Sequence, residues 1–189
     1  MKLKNILDNL YFKNIKLCSN DEVNDILKIR NESNIRINSV SKNKITIKEH
    51  TSWINKIKNS KINNFYAIKY KNNTVGGLAL NNYDQKLLLG EWSFYISEKN
   101  KFIGLGASIE FKSIEYFFNF YNLNTLYCYV LKNNLPVLKL HKKFGFEEIL
   151  FEKYYKNSNI KNIVSENVYY ALKKSKWNMI KNKIYKLYF

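Results

Sequence analysis

The run Lys101-Phe102-Ile103-Gly104-Leu105-Gly106-Ala107 has the residue types and spacing of an anion cradle. It follows a stretch that reads as a strand, Glu91 to Ser97, and opens one that reads as a helix, Leu105 to Asn122. The leading N–H groups of a helix have no internal acceptor and sit at the positive end of its dipole. Two of the chain's six glycines fall in this turn, so the backbone can approach a phosphate with no Cβ between them. The chemistry this suits is capture of a nucleotide-like cofactor through its pyrophosphate. Other residues equipped for chemistry are few. Glu91 puts a carboxylate in the middle of an apolar strand. The chain has two histidines, His50 and His141. Arg30 and Arg36 carry guanidinium forks that match phosphate oxygens, a role that competes with plain solvation of a helix face. No His, Cys, Asp or Glu cluster has metal-ligand spacing, so no metal is expected.

The elements that must position these groups follow from periodicity and turn residues. A first strand is expected over Lys13 to Ser19, then a helix capped by Asp21 and running through Glu32. Asn38 to Lys44 reads as a polar loop, and Lys48 to Asn59 as a helix with Trp53, Ile54 and Ile57 on one face. Asn64 to Lys71, Thr74 to Asn82 and Leu87 to Ser97 form an antiparallel meander. After the glycine-turn helix come a strand, Thr125 to Leu131, and a helix, Leu135 to Phe144, that Gly145 ends. Two antiparallel strands over 146–156 and 163–173 and an amphipathic helix in the tail, Lys176 to Phe189, complete the order. The aromatic run Tyr116, Phe117, Phe118, Phe120 and Tyr121 reads as core, not as a platform for stacking bases. Residues 1–174 therefore read as one domain and 175–189 as a C-terminal helical extension.

Composition bounds the class. With 189 residues, 46% of them hydrophobic and 16% aromatic, the chain can bury a core and is not a disordered polymer. No apolar run is long enough to span a bilayer, and Met1 to Leu10 lacks a signal-peptide core. Two cysteines without ligand spacing suit a reduced, cytoplasmic protein. The formal charge of +17 invites a nucleic-acid reading. The lysines are scattered without a basic block, however, among abundant Asn, Ile and Tyr. Compositional drift with a small polyanionic partner is the simpler account, with no specific nucleic acid and no membrane.

The order of elements and motifs resembles the GNAT superfamily of acetyl-CoA-dependent N-acetyltransferases, over nearly the whole chain up to about Lys173. That family's pyrophosphate motif is Gln or Arg, two residues, Gly, any residue, then Gly or Ala. Lys101-Phe102-Ile103-Gly104-Leu105-Gly106 departs only at its first position and keeps the positive charge there. Asn134-Leu135-Pro136-Val137 and the ending Gly145-Phe146 are similar to a second family segment, and His141 stands where the family often places a tyrosine. Further segments, Ile29-Arg30-Asn31-Glu32-Ser33-Asn34-Ile35-Arg36, Ile47 to Ile54 and Gly90-Glu91-Trp92-Ser93-Phe94-Tyr95-Ile96, are similar to aminosugar N-acetyltransferases of the pseudaminic acid pathway. Ile37-Asn38 departs from that narrower pattern, where bulkier apolar residues are usual.

The resemblance implies an α/β (α+β) domain with a mixed, mostly antiparallel sheet of about seven strands. A splayed strand pair in it binds acetyl-CoA. Phe94, Tyr95 and Ile96 would pair with the pantetheine arm, Lys101, Phe102, Ile103, Gly104, Leu105, Gly106 and Ala107 would cradle the pyrophosphate, and Asn134 would also contact the cofactor. Glu91 would take the proton of the acceptor ammonium, and His141 would protonate the departing thiolate, with Tyr129 or Tyr95 as substitutes. Arg30, Asn31, Arg36 and His50 would hold the acceptor, a nucleotide-linked amino-deoxysugar. Direct attack needs no acyl-enzyme, and neither cysteine is expected to supply one. Two alternatives stay open: acetylation of a protein or ribosomal-protein N-terminus, and a catalytically silent binding module that keeps the fold. A homodimer is compatible with either.

Overall fold

A computed structural model of the chain describes residues 3–39, 41–150 and 166–189. Its centre is a seven-stranded sheet built from β1 (Leu10–Asn14), β2 (Asn64–Tyr70), β3 (Asn73–Asp84), β4 (Leu89–Ile96), β5 (Thr125–Leu131), β6 (Glu147–Ile149) and β7 (Asn167–Lys173). The spatial order is β1-β2-β3-β4-β5-β7-β6. Every neighbouring pair is antiparallel except β4 with β5, which is parallel. Seven α-helices surround it: α1 (Lys4–Asp8), α2 (Asn20–Arg30), α3 (Ser33–Ile37), α4 (Ile47–Asn59), α5 (Leu105–Phe120), α6 (Leu135–Lys143) and α7 (Lys174–Tyr188), counted among the described residues.

Side chains alternate across a strand, so each strand feeds two layers. Leu78, Leu80, Trp92, Leu126, Cys128 and Val130 join the larger core with residues of α1, α5 and α7. Phe65 and Ala67 point the other way and pack with Ile26 of α2 and Ile54 and Ile57 of α4. Trp177 of α7 is fully buried against Phe111 and Phe144, so the C-terminal helix is part of the main core and not an appendage to it.

Several expected boundaries move. The first strand lies over Leu10–Asn14, and Ile15–Leu17 turns into a short 3-10 helix whose Lys16 N–H donates to the Asn14 side chain. Ser19, not Asp21, caps α2: its hydroxyl accepts from Glu22 N–H while the Glu22 carboxylate accepts from Ser19 N–H. That reciprocal arrangement satisfies two orphan donors where Asp21 would satisfy one. The helix α1 was not foreseen from the sequence. It is held from afar, by Lys112 donating to Leu7 O and Leu10 O and by Leu3 N–H donating to Tyr188 O. Of the aromatic run, Phe117 and Phe118 are core, but Phe120 is 69% exposed. The two strands expected over 146–156 and 163–173 are seen at Glu147–Ile149 and Asn167–Lys173, and the remainder lies largely outside the described residues.

Candidate active site

The parallel ladder between β4 and β5 is short. It pairs Leu89 with Thr125, Gly90 with Leu126 and Glu91 with Tyr127, and stops. Beyond Glu91, β4 stays paired with β3 as far as Ile96, and β5 stays paired with β7 as far as Leu131. Each strand is held by its outer neighbour, so the two diverge and their facing edges carry no ladder. A cleft of about 640 Å³ fills the divergence, walled by Trp92 to Ile96 on one side and Cys128 to Leu131 on the other.

Because the sheet is open here, the cleft connects its two faces. Trp92 and Cys128 belong to the core under α5, and His141 of α6 packs on Trp92 with ring centroids 5.5 Å apart. Glu91 alternates to the opposite face, where the cleft is lined by Arg30 of α2, Asn34 of α3 and Trp53 of α4.

The turn before α5 lies at the α5–α6 end. Gly104 is the N-cap with φ of +92°, a left-handed conformation in which a Cβ would also strike Leu3. No side chain caps the helix; Leu105 N–H donates back to Phe102 O at 3.2 Å, which leaves the next N–H groups of the first turn, those of Gly106 and Ala107, for a ligand. Gly106 is glycine for another reason: a Cβ there would meet nothing closer than 3.8 Å, so the protein itself does not need the space. Lys101 lines the cleft and pairs with Glu98 at 3.3 Å. Phe102 packs on Tyr70, Ile103 is 92% exposed, and Leu105 and Ala107 are buried. Asn134 lines the cleft and caps α6 through its carbonyl, which accepts from Val137 and Leu138 N–H.

Glu91 sits where the strands part. Burial pushes its carboxyl up to about 7, against the lowering effect of Asn82, whose amide donates to Oε2 at 3.3 Å. Tyr129, also on the cleft, is pushed up to about 12 by burial and by Glu91. His141 is almost fully buried, with Nδ1 2.9 Å from Oε1 of Glu110. Burial works against a charged ring, but the Glu110 carboxylate and the neighbouring Cys128 outweigh it and hold His141 well above the usual imidazole range. Burial likewise raises Glu110. The sequence reading missed Glu110, although a glutamate inside the apolar face of α5 was a signal for it. Cys128, considered in the sequence only as a nucleophile and set aside, lies beside His141 on the cleft.

The residues expected to hold the acceptor are divided. Arg30 lines the cleft; its Nη2 donates to Ser41 O at 3.4 Å, while Nη1 is buried without a partner. Asn31, Arg36 and His50, expected beside Arg30 at the acceptor, are not among the residues that line the cleft. Asn31 clamps the loop before α4, donating to Ile45 O and accepting from Ile45 N–H. Arg36 donates to Asn31 O and Lys42 O, tying down the same loop. His50 is buried, stacks on Trp53 and bonds through Nε2 to Val23 O at 3.2 Å, with burial lowering its pKa. These three shape the loop and helices around Arg30. Among the described residues no group of three or more His, Cys, Asp or Glu could hold a metal ion, and no helix is long and apolar enough to cross a membrane.

Comparison with known proteins agrees with this fold. Among curated proteins the sequence finds no match. The fold is similar to that of the Campylobacter jejuni N-acetyltransferase PseH, of which one of two structures is in complex with acetyl coenzyme A. The other is 21% identical and aligns over 88% of this chain and 99% of that one, with a TM-score of 0.65. It is also similar to spermidine N-acetyltransferase from Vibrio cholerae in complex with CoA and spermine, 17% identical over 90% of this chain and 99% of that one, with a TM-score of 0.76. At such identities the likeness is one of fold. The acetyltransferase (GNAT) domain profile, however, matches residues 15–166, which contain the diverging strands, the glycine turn and both Glu91 and His141, and the chain belongs to that family of acetyltransferases.

Proposed function

We propose that this chain moves the acetyl group of acetyl-CoA directly to the amine of a small, anion-bearing acceptor, a nucleotide-linked amino-deoxysugar. One observation carries the reading: the β4–β5 divergence opens a passage through the sheet with Glu91 on one face and His141 on the other. Acetyl-CoA would enter from the α5–α6 face, its pyrophosphate on the uncapped N–H groups of α5 and its arm along the free edge of Phe94 to Ile96. The amine would arrive from the α2–α4 face. Glu91, with a pKa of about 7, is matched to taking the ammonium proton near neutrality. The freed nitrogen attacks the thioester carbon, a backbone N–H of the diverging strand steadies the oxyanion, and the carbon–sulfur bond breaks. The thiolate leaves toward the His141 face and takes a proton there. Two protons leave the nitrogen and one goes to sulfur, so one is released per turnover.

Arg30 supports the acceptor class. A buried guanidinium with one nitrogen unpartnered is costly, and an anion brought against Arg30 by the ligand would offset that cost. Among the described residues no carboxylate pairs with Arg30. A phosphate fits that demand, whereas a polyamine would bring further positive charge toward Arg30 and Lys101. The test is thiol release from acetyl-CoA across UDP- and dTDP-linked aminosugars, spermidine and peptide N-termini. The expected order has the nucleotide sugars first. Preference for spermidine or a peptide would overturn the acceptor, and silence with every amine would overturn the activity.

A further inference from the structure

We infer that Glu110 is a positioning residue for acetyl transfer: its buried carboxylate fixes the His141 ring and keeps it in the proton-donating form. The inference rests on His141 serving as the acid. Glu110 is the one fully buried carboxylate among the described residues, and it does not line the cleft, so any effect on the reaction passes through another group. Its Oε1 meets His141 Nδ1 at 2.9 Å, and its Oε2 has no hydrogen-bond partner.

Such a pair is poor at stabilising a fold. Taking two ionisable groups out of water costs several kcal/mol on the order of what their attraction returns, and an apolar pair of similar size usually does as well or better. The surroundings make the cost plain. The ring is enclosed by Trp92 and Phe146, with Cys128 facing it from β5 and Tyr170 from β7. Tyr188 of α7 lies near Glu110, and the lysines of α6 (Lys139, Lys142 and Lys143) are not buried. Among the described residues Glu110 is thus the one carboxylate acting on the ring from the elements packed on it. By accepting from Nδ1–H it sets the ring's orientation and favours the cation, which leaves the other nitrogen carrying a proton to give. After the transfer the ring stays neutral with Nδ1–H still on Glu110, ready to be recharged from solvent.

The experiment is Glu110→Gln, which keeps the shape and removes the charge. Turnover with the best acceptor is followed between about pH 6 and 9, and the His141 ring is titrated by NMR, a clean assignment with only two histidines in the chain. The alkaline limb of the profile should move down by about one pH unit or more, with turnover at pH 8 reduced about 10- to 100-fold and KM for acetyl-CoA unchanged. The His141 ring should lose its proton at lower pH in the variant, and Glu110→Asp should recover part of both effects. In a His141→Ala background, Glu110→Gln should cost nothing further. A variant profile superimposable on wild type, an equal loss in the His141→Ala background, or a wild-type His141 ring already neutral at pH 7 would overturn the inference. A wild-type chain with no acetyl transfer would instead sink the proposed activity, while the ring titrations would still report on the pair.

Discussion

Glu91 and Tyr127 are the last partners of the parallel β4–β5 ladder, and the sheet opens immediately past them. The carboxylate therefore stands at the rim of the cleft, desolvated by the strands that still pair and facing the space where they no longer do. That position explains a pKa of about 7 without any nearby acid to raise it.

Glu91→Gln should separate activity from stability. Turnover should fall about 10²- to 10⁴-fold at neutral pH and recover partly at alkaline pH, where the amine loses its proton unaided. Stability should go the other way. A carboxyl raised from 4.5 to about 7 holds its proton in the folded chain after the unfolded chain has released it, so wild type loses stability as pH climbs through that window. The variant avoids the loss and should be more stable than wild type above pH 7, by about 1–3 kcal/mol. Urea denaturation at pH 5 and pH 8 checks this; equal stability at both pH values would mean that Glu91 is not desolvated.

Gly106→Ala tests the cradle. The protein offers a Cβ ordinary contact distances at this position, and alanine favours a helix over glycine by up to about 1 kcal/mol. The variant should melt at the same temperature as wild type or higher, yet bind acetyl-CoA more weakly by calorimetry, because the methyl intrudes where the pyrophosphate meets the backbone. Unchanged affinity would remove Gly106 from the proposed cofactor site.

How much of this was legible in the sequence follows from the range of the interactions. Gly104 and Gly145 act within a few residues, and the turn and helix end they set were readable; the Thr46–Glu49 capping box is as local, but it was not read, and α4 starts at Ile47 and not at Lys48. The meander β2–β3–β4 is also local, with partners joined by short turns. Glu110 meets His141 from 31 residues away, and α1 is fixed by Lys112 from more than 100 residues away. No periodicity encodes such pairings. Asn31 at the end of α2 and Arg36 of α3 were readable as functional types, but backbone carbonyls of Ile45 and Lys42 take up their donors. Only the folded chain shows that Arg30 keeps one nitrogen free.

Cys128 offers a check on direct attack. A thiol beside a histidine on the cleft has the parts of an acyl-enzyme site, which the sequence alone did not suggest. Direct transfer predicts that Cys128→Ala stays active, losing only what its contact with the His141 ring contributes, about tenfold or less, while stability falls about 1 kcal/mol for the lost core sulfur. Intact-protein mass spectrometry of wild type with acetyl-CoA alone should show no acetyl adduct on Cys128. An adduct that transfers to acceptor, together with an inactive but folded alanine variant, would replace direct attack with a two-step mechanism.

The helix that carries Arg30 to the cleft is itself anchored by charge, and this gives a last test. Glu22 of α2 accepts from Lys13 at 2.7 Å, from Lys69 at 3.0 Å and from Ser19 N–H at 2.8 Å, and these contacts hold its carboxyl down at about 2. Lys69 is only 4% exposed, with Thr74 as its other partner. Glu22→Ala leaves that ammonium buried with its carboxylate gone and removes half of the α2 capping box, so it should destabilise the chain by about 3–5 kcal/mol at pH 7. Because the folded pKa is depressed, the contribution is complete above the ordinary carboxylate range and fades as pH falls toward 2. The stability gap between wild type and Glu22→Ala, measured by urea denaturation, should therefore narrow from about pH 5 downward. The double variant Glu22→Leu with Lys69→Met removes both charges and should recover most of the loss, because the penalty lies in the unpaired ion and not in the missing bridge. A double variant as unstable as the single one would show instead that the ion pair itself holds α2, and with it Arg30, against the sheet.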